Sequence, residues 1–146
     1  YAEVVAMASH EVEQVAEVRS QLEALSARLL AEHATAEDCV VLRRLAGDCM
    51  QELLKKDLAA TFEKDSLLHL EMAQRTGNPY LFDIMQRLDA KVQLARLVRC
   101  GTYEHILNAV REHDEIIDAI EKHDAQRAAS TIERHATLMA PEETGG

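Results

Sequence analysis

Apolar residues recur at steps of three and four along most of the chain, and short polar segments interrupt this recurrence. Residues at this spacing share one face of a helix with 3.6 residues per turn. The first run contains Val12, Val15, Val18, Leu22, Leu25, Leu29 and Leu30. Similar runs follow it to the end of the chain. The pattern predicts helices over about residues 9–33, 36–55, 58–76, 79–100, 103–123 and 125–139.

Residues that commonly cap helices stand where the predicted helices after the first would begin. Their side chains accept hydrogen bonds from the backbone amides that are left free in the first turn. Asn78 is followed by Pro79, whose missing amide hydrogen costs nothing at the first helical position. Gly77 is typical of a helix end, and we expect an interruption of the third helix near Ala60 or Thr61. The predicted N-caps are Thr35, Asp57, Asn78, Thr102 and Asp124.

The composition favours an all-α protein with a single domain. The 146 residues are 47% apolar but include only five Gly, two Pro and no Trp. Helix formers such as Ala, Leu, Glu, Arg and Gln recur throughout, whereas runs of β-branched or aromatic residues are scarce. We therefore predict an antiparallel bundle of about six to seven helices, because helices joined by short turns pack in this way. Residues 1–140 would form the domain and residues 141–146 a disordered tail.

Charge and cysteine content restrict the partners and the compartment. The net charge of −10, from 26 acidic and 16 basic residues, argues against binding of a polyanion by this chain, because phosphate contacts need clustered Lys and Arg. Cys39, Cys49 and Cys100 are odd in number and lack CxxC spacing, which predicts reduced thiols. No membrane-spanning run or signal peptide is recognisable. We expect a soluble, cytoplasmic protein.

One aspartate and three histidines form the strongest candidate for chemistry. Asp65 and His69 are four residues apart, so a helix would place them on one face about 6 Å apart. Apolar neighbours indicate that His69, His113 and His135 all lie on the inner faces of their helices. Each histidine alone is more often a structural residue. Buried polar groups need partners, however, and the set of four together predicts a metal site.

The ligand types narrow the choice of metal. Imidazole with carboxylate suits zinc or nickel first, and manganese, iron or cobalt as alternatives. The absence of a thiolate argues against a purely structural zinc site. Four protein ligands would leave coordination positions for water or for a carboxylate ligand. The other histidines lie near helix ends or among charged neighbours, and we exclude them: His10, His33, His105 and His123.

Three arginines are candidates for binding an anionic ligand. Arg19 lies four residues before Glu23, so it is either half of a solvent-exposed ion pair or a guanidinium fork for a carboxylate. Arg96 and Arg99 have the same two interpretations. The sequence does not show which of these two faces a cavity.

Several spaced motifs together resemble a known family, and the resemblance covers nearly the whole chain. They are Val18-Arg19 with Leu22-Glu23, Ala34-Thr35-Ala36-Glu37-Asp38, Asp65-x-x-x-His69, Gly77-Asn78-Pro79, Glu112-His113 with Ile116 and Ala119-Ile120, and Asp124, Ala128 and His135. The pattern is similar to the FCD domain, which is the C-terminal effector-binding domain of the FadR subfamily of GntR transcription regulators. The set as a whole is specific, although each piece alone is weak.

The resemblance implies a function for the candidate residues. Members that carry the aspartate and three histidines bind a divalent metal at the centre of the helical bundle. A small organic acid then contacts both the metal and an arginine. Leu68 replaces the usual Phe of the family, which we expect to change the pocket wall. The resemblance assigns metal ligation to Asp65, His69, His113 and His135, and effector binding to Arg19 together with Arg96 or Arg99.

The resemblance also implies a homodimer that contacts DNA only through an N-terminal winged helix-turn-helix domain. We expect that domain to be absent from this chain, and the chain to be a fragment of a longer regulator rather than a free-standing sensor. Two alternatives stay open. One is a helical-bundle metalloenzyme that acts on a small carboxylate, and the other is a metal-free dimerisation bundle whose histidines hydrogen-bond one another.

Overall fold

The computed structural model describes residues 9–98 and 101–138, and every regular element within these ranges is an α-helix. The predicted all-α class is therefore confirmed. The predicted tail at 141–146 and the predicted helix ends near 100 and 139 lie outside the described residues. The helices are α1 (Ser9–His33), α2 (Ala36–Leu54), α3 (Leu58–Arg75), α4 (Pro79–Val98), α5 (Tyr103–Glu121) and α6 (Ala125–Leu138).

The helix starts follow the predicted caps. At the start of α2, the Thr35 hydroxyl accepts a hydrogen bond from the Asp38 amide at 3.1 Å, and the Asp38 carboxylate accepts one from the Thr35 amide at 2.9 Å. This reciprocal pair forms a capping box. The remaining predicted caps also accept hydrogen bonds from amides of the first turn, namely Asp57, Asn78, Thr102 and Asp124.

Helix α3 runs without a break, so the interruption expected near Ala60 or Thr61 is wrong. The Asp57 carboxylate accepts a hydrogen bond from the Ala60 amide at 3.0 Å. The Thr61 amide donates to the Asp57 carbonyl at 2.9 Å, and its hydroxyl donates to the same carbonyl at 2.7 Å. The threonine therefore bonds back within the helix rather than disrupting it.

The helices surround a core that extends through most of the bundle. Helix α1 packs along α6 and also contacts α3, α4 and α5, whereas α2 packs against α3 and α5. Burial of a large aliphatic side chain contributes about 1.5–3 kcal/mol, so this core is the main source of stability. Its largest fully buried members are Leu30, Leu42, Leu68, Met72, Ile116, Ile117, Ile120 and Ile132.

Some apolar positions of the sequence pattern are exposed rather than buried. Leu67 is 44% exposed while the adjacent Leu68 is 1% exposed. Successive residues on a helix are about 100° apart, and the side of α3 that faces the core includes Leu68 but not Leu67. Four other apolar residues of the predicted stripes are also exposed, namely Val18, Val40, Leu54 and Ile84.

Two further expectations concern the cysteines and membranes. Cys39 and Cys49 are buried free thiols, in agreement with the predicted reduced state, and Cys100 lies outside the described residues. Within the described part of the chain, none of the helices combines the length and apolar character needed to cross a membrane.

Candidate metal centre

The four predicted metal ligands meet in the middle of the bundle. Asp65 and His69 lie on α3, His113 on α5 and His135 on α6, and each is at most 4% exposed. The sequence pattern correctly placed all three histidines on inner helix faces. Two of them continue rows of core isoleucines, and the third follows the core residue Leu68.

The ligand atoms converge on one carboxylate oxygen. Nε2 of His113 lies 2.8 Å from Asp65 Oδ1, Nε2 of His69 lies 3.1 Å from it, and Nε2 of His135 lies 3.9 Å from it. One ligand atom from each of the four residues lies within 4.8 Å of the others. Four donors this close together, from an aspartate and three imidazoles, match the ligand set of a divalent transition metal.

The hydrogen bonds of the imidazoles are consistent with metal ligation. Both ring nitrogens of His135 are buried without a protein hydrogen-bond partner, as is Nδ1 of His113. Leaving a buried polar atom unpaired costs about 1–3 kcal/mol. The three rings are close neighbours, with centroids 4.8–5.5 Å apart. The residues therefore fit a bound metal better than a set of histidines that bond to one another.

The second oxygen of Asp65 faces two arginines. Arg96 donates to Oδ2 through Nη2, and Nη2 of Arg19 lies 3.7 Å from the same oxygen. Arg96 also donates to the Phe62 carbonyl at 3.3 Å and places its guanidinium 5.0 Å from the centre of the Phe62 ring. Asp65 thus joins two groups, with the histidines on one oxygen and the guanidinium groups on the other.

Arg19 forms its expected pair with Glu23, but the pair is buried. Arg19 Nε donates to Glu23 Oε1 at 3.0 Å, and the residues are 6% and 1% exposed. The interpretation of Arg19 as solvent-exposed is therefore wrong, because this part of α1 packs against α3 and α4. Arg99, the third candidate, lies outside the described residues.

Sequence reasoning missed Glu23 as a part of this centre. Its Oε1 lies 3.0 Å from His69 Nδ1, although the two are not aligned for a hydrogen bond. The available signal was its position in the first helix, directly after Leu22 and four residues after Arg19. An acidic residue at that place suits an exposed pair equally well, so the sequence alone does not reveal the contact with α3.

The electrostatics of the centre are strongly coupled. Burial opposes ionisation of Glu23, but Arg19 and His69 lower its pKa to about 2. Burial also lowers the pKa of His69, but Glu23 and Asp65 raise it to about 9. The pKa of Asp65 lies well below its usual range, because His69 and Arg96 outweigh the effect of burial. For His135, burial and the neighbouring histidines hold the pKa well below its ordinary value.

A small cavity of about 10 Å³ adjoins the centre between α1, α3 and α4. A space of this size holds about one water molecule. One side of it is polar and the other is an apolar wall contributed mainly by α4. The lining residues are Arg19, Glu23, His69, Leu70, Met85, Leu88, Asp89 and Val92.

Comparisons with known proteins agree with the fold and with the sequence resemblance. The FCD domain family matches residues 14–138. A GntR protein of Streptococcus agalactiae is 23% identical with a TM-score of 0.71, and the match covers 87% of this chain and 56% of that chain. McbR/YncC of E. coli is 17% identical with a TM-score of 0.78, and the match covers 88% and 61%.

The chain spans less than two thirds of the length of these two solved proteins. At such low identities the structural likeness shows a shared fold alone. No curated protein matches the chain significantly. The family match, in contrast, covers most of the sequence. The chain therefore belongs to the FCD domain family.

Proposed function

We propose that this chain is the ligand-sensing domain of a bacterial transcription regulator of the GntR family. In this proposal, a central divalent metal and a buried arginine together bind a small organic acid. The occupied domain then alters DNA binding by an attached winged-helix domain in a homodimer. Membership of the FCD family supports the sensing role. The observation that carries the metal is the buried convergence of Asp65, His69, His113 and His135.

The charges of the centre support an anionic ligand. Among the charged residues that are buried in the described part of the chain, the carboxylates of Glu23 and Asp65 balance the guanidinium groups of Arg19 and Arg96. A divalent ion would add two positive charges in a region with little water, where uncompensated charge is costly. An organic acid would offset that charge, and the ion would supply a Lewis-acidic centre for its carboxylate. Zinc or nickel suits the ligands best, with manganese, iron or cobalt as alternatives.

The size of the cavity suggests how binding would be transmitted. An acid is larger than the roughly one water molecule that 10 Å³ holds. If the acid binds beside Arg19, the apolar wall of Met85, Leu88 and Val92 on α4 would have to shift to admit it. A ligand that binds the widened state better would shift the population toward it, by no more than its difference in affinity for the two states. The position of α4 would then report occupancy.

The test is a thermal-shift screen of small carboxylates and sugar acids against metal-loaded and chelator-treated protein. We expect at least one acid to raise the melting temperature of the metal-loaded form only. Arg19→Lys keeps the charge but loses the fork, and should weaken binding of that acid about tenfold. The control is Arg43→Lys, the same change in a half-exposed arginine that pairs with Asp118 and Glu121 rather than with residues of the centre.

Two outcomes would contradict the proposal. One is that no acid stabilises the metal-loaded protein above background. The other is turnover of a candidate acid, which would indicate the alternative of a helical-bundle metalloenzyme rather than a sensor without catalytic activity.

A further inference from the structure

Glu23 is a buried carboxylate that contacts the metal centre from outside the ligand set. Its Oε1 lies 3.0 Å from Arg19 Nε and 3.0 Å from His69 Nδ1, while its Oε2 has no hydrogen-bond partner. A carboxylate on an apolar helix face is unfavourable unless several contacts compensate for its desolvation. Pairing with Arg19 accounts for one of the two contacts and leaves the contact with His69 unexplained.

The two nitrogens of His69 face different surroundings. Nε2 lies 3.1 Å from Asp65 Oδ1, where the other imidazoles converge, whereas Nδ1 faces Glu23. A neutral imidazole has one N–H group and one lone pair. Ligation through Nε2 therefore requires the proton to be on Nδ1. An acceptor beside Nδ1 favours this tautomer and fixes the plane of the ring.

The two atoms are 3.0 Å apart but are not aligned for a hydrogen bond in this structure. We propose that Glu23 is a positioning residue that accepts the Nδ1–H of His69 once metal binding has oriented the ring, and so keeps the Nε2 lone pair directed toward the metal. The inference rests on the proposed metal site and adds a role for a residue outside it. Arg19 holds the carboxylate in place through Nε and also approaches Asp65. The chain Arg19–Glu23–His69 thus connects α1 with the ligands on α3.

The other buried histidines provide an internal comparison. The nearest carboxylate oxygen to His135 Nδ1 belongs to Glu112 and lies 3.9 Å away, beyond hydrogen-bond distance. Glu112 is also more exposed, and its other oxygen accepts a hydrogen bond from Arg134 at 3.2 Å near the surface. Glu112 therefore offers a matched acidic residue that is close to the centre but does not contact an imidazole nitrogen at hydrogen-bond distance.

The direct test is the protonation pattern of His69 in zinc-loaded protein labelled with ¹⁵N at histidine. We expect a slowly exchanging Nδ1–H signal for His69 and ligation through Nε2. In Glu23→Leu, that signal should be lost or should exchange rapidly. A purely structural Arg19–Glu23 pair would leave the His69 signal unchanged in this variant, which would overturn the proposal.

Zinc affinity, measured by competition with a chelator, gives the second readout. Loss of an outer-shell partner of a metal-bound histidine typically costs 10–100-fold in affinity, so Glu23→Leu should fall in this range. Glu23→Gln keeps an acceptor oxygen and should lose less. Glu112→Gln should change the affinity by less than about threefold, since its carboxylate is beyond hydrogen-bond reach of the ring.

The outcomes separate this inference from the proposed function. If wild-type protein takes up no zinc, the metal site itself fails. If it takes up zinc but His69 ligates through Nδ1, or if Glu23→Leu weakens zinc binding no more than Glu112→Gln does, the role of Glu23 alone fails. Ligation of His69 through Nδ1 in wild-type protein would overturn the role without any substitution, and Glu23→Gln is the milder variant for the exchange measurement if Glu23→Leu does not fold.

Discussion

The same types of charged residue occur in two very different settings in this molecule. At the surface, Arg43 donates to Asp118 at 2.7 Å and to Glu121 at 2.6 Å, with all three side chains at least 40% exposed. At the centre, Arg19, Glu23 and Asp65 are at most 6% exposed. Exposed ion pairs contribute little to stability, whereas buried charges are costly unless they are paired. The contrast supports the proposal that the central charges serve binding rather than stability.

The largest expected effect follows from replacing a central histidine by an apolar residue. His135→Leu should lower zinc affinity at least about 100-fold, because a ligand is removed. In chelator-treated protein the same change should raise the free energy of unfolding by about 1–3 kcal/mol, because both ring nitrogens are buried and unpaired. Isothermal titration and chemical denaturation measure the two effects.

The matched control is His33→Leu, since the side chain of His33 is 69% exposed. This substitution should change neither the zinc affinity nor the free energy of unfolding appreciably. A loss of stability in chelator-treated His135→Leu would show that the imidazole has protein or water partners that compensate for its burial.

Metal affinity should also depend on pH, and it should rise with pH because His69 must lose a proton before it ligates. The neighbouring carboxylates outweigh burial and raise its pKa to about 9. A histidine must lose a proton before it ligates, so affinity should rise roughly tenfold per pH unit up to about pH 9. The low pKa values of Asp65 and His135 mean that neither releases a proton near neutrality.

Titration calorimetry at pH 7 in two buffers with different heats of ionisation would count the protons that are released when the metal binds.

In metal-free protein, the raised pKa of His69 contributes stability that is complete below its ordinary value of 6.5 and is lost as pH rises through about 9. Affinity that does not change between pH 6.5 and 8.5 would contradict a protonated His69 in the metal-free protein that must release its proton on ligation.

Loss of a helix cap should have a smaller effect, and on stability alone. Thr35→Ala removes the hydroxyl that caps α2 and should cost about 1 kcal/mol without changing zinc affinity.

Asp38, the other half of this capping box, has a lowered pKa because it accepts a hydrogen bond from the Thr35 backbone. Its contribution is therefore present above its ordinary value of 3.8 and is lost as pH falls below it.

Chemical denaturation between pH 3 and pH 7 would measure both the cost of Thr35→Ala and the acid dependence that Asp38 contributes. In Asp38→Asn the part of the acid dependence that this carboxylate contributes should disappear. An acid dependence identical to that of wild type would show that the ionised Asp38 carboxylate contributes no stability.

The smallest effect is expected at the surface. Arg43→Gln removes two exposed ion pairs and should lower the free energy of unfolding by less than about 1 kcal/mol, with a difference that shrinks as salt is added. Denaturation at low and high salt measures this change. A larger decrease in the free energy of unfolding, or one that does not change with salt, would contradict the expectation that the surface ion pairs contribute little to stability.

The sequence predicted the helices and the four candidate ligands because each depends on local spacing. Caps such as Thr35 act within one turn, and the inner face of a helix follows from the apolar residues around His113 or His135. The burial of the Arg19–Glu23 pair depends on how α1 packs against α3, which no local pattern encodes. The same limit explains Leu67 and Val40, whose exposure is set by neighbouring helices rather than by their apolar character.

Anomalous X-ray diffraction from crystals grown with zinc or nickel would show directly whether Asp65 and the three central histidines bind a metal ion. We expect one strong peak in each chain, within about 2.0–2.2 Å of an Asp65 carboxylate oxygen and of one nitrogen from each of His69, His113 and His135. The absence of a peak at this position in metal-saturated crystals, or a peak only at surface residues, would contradict it.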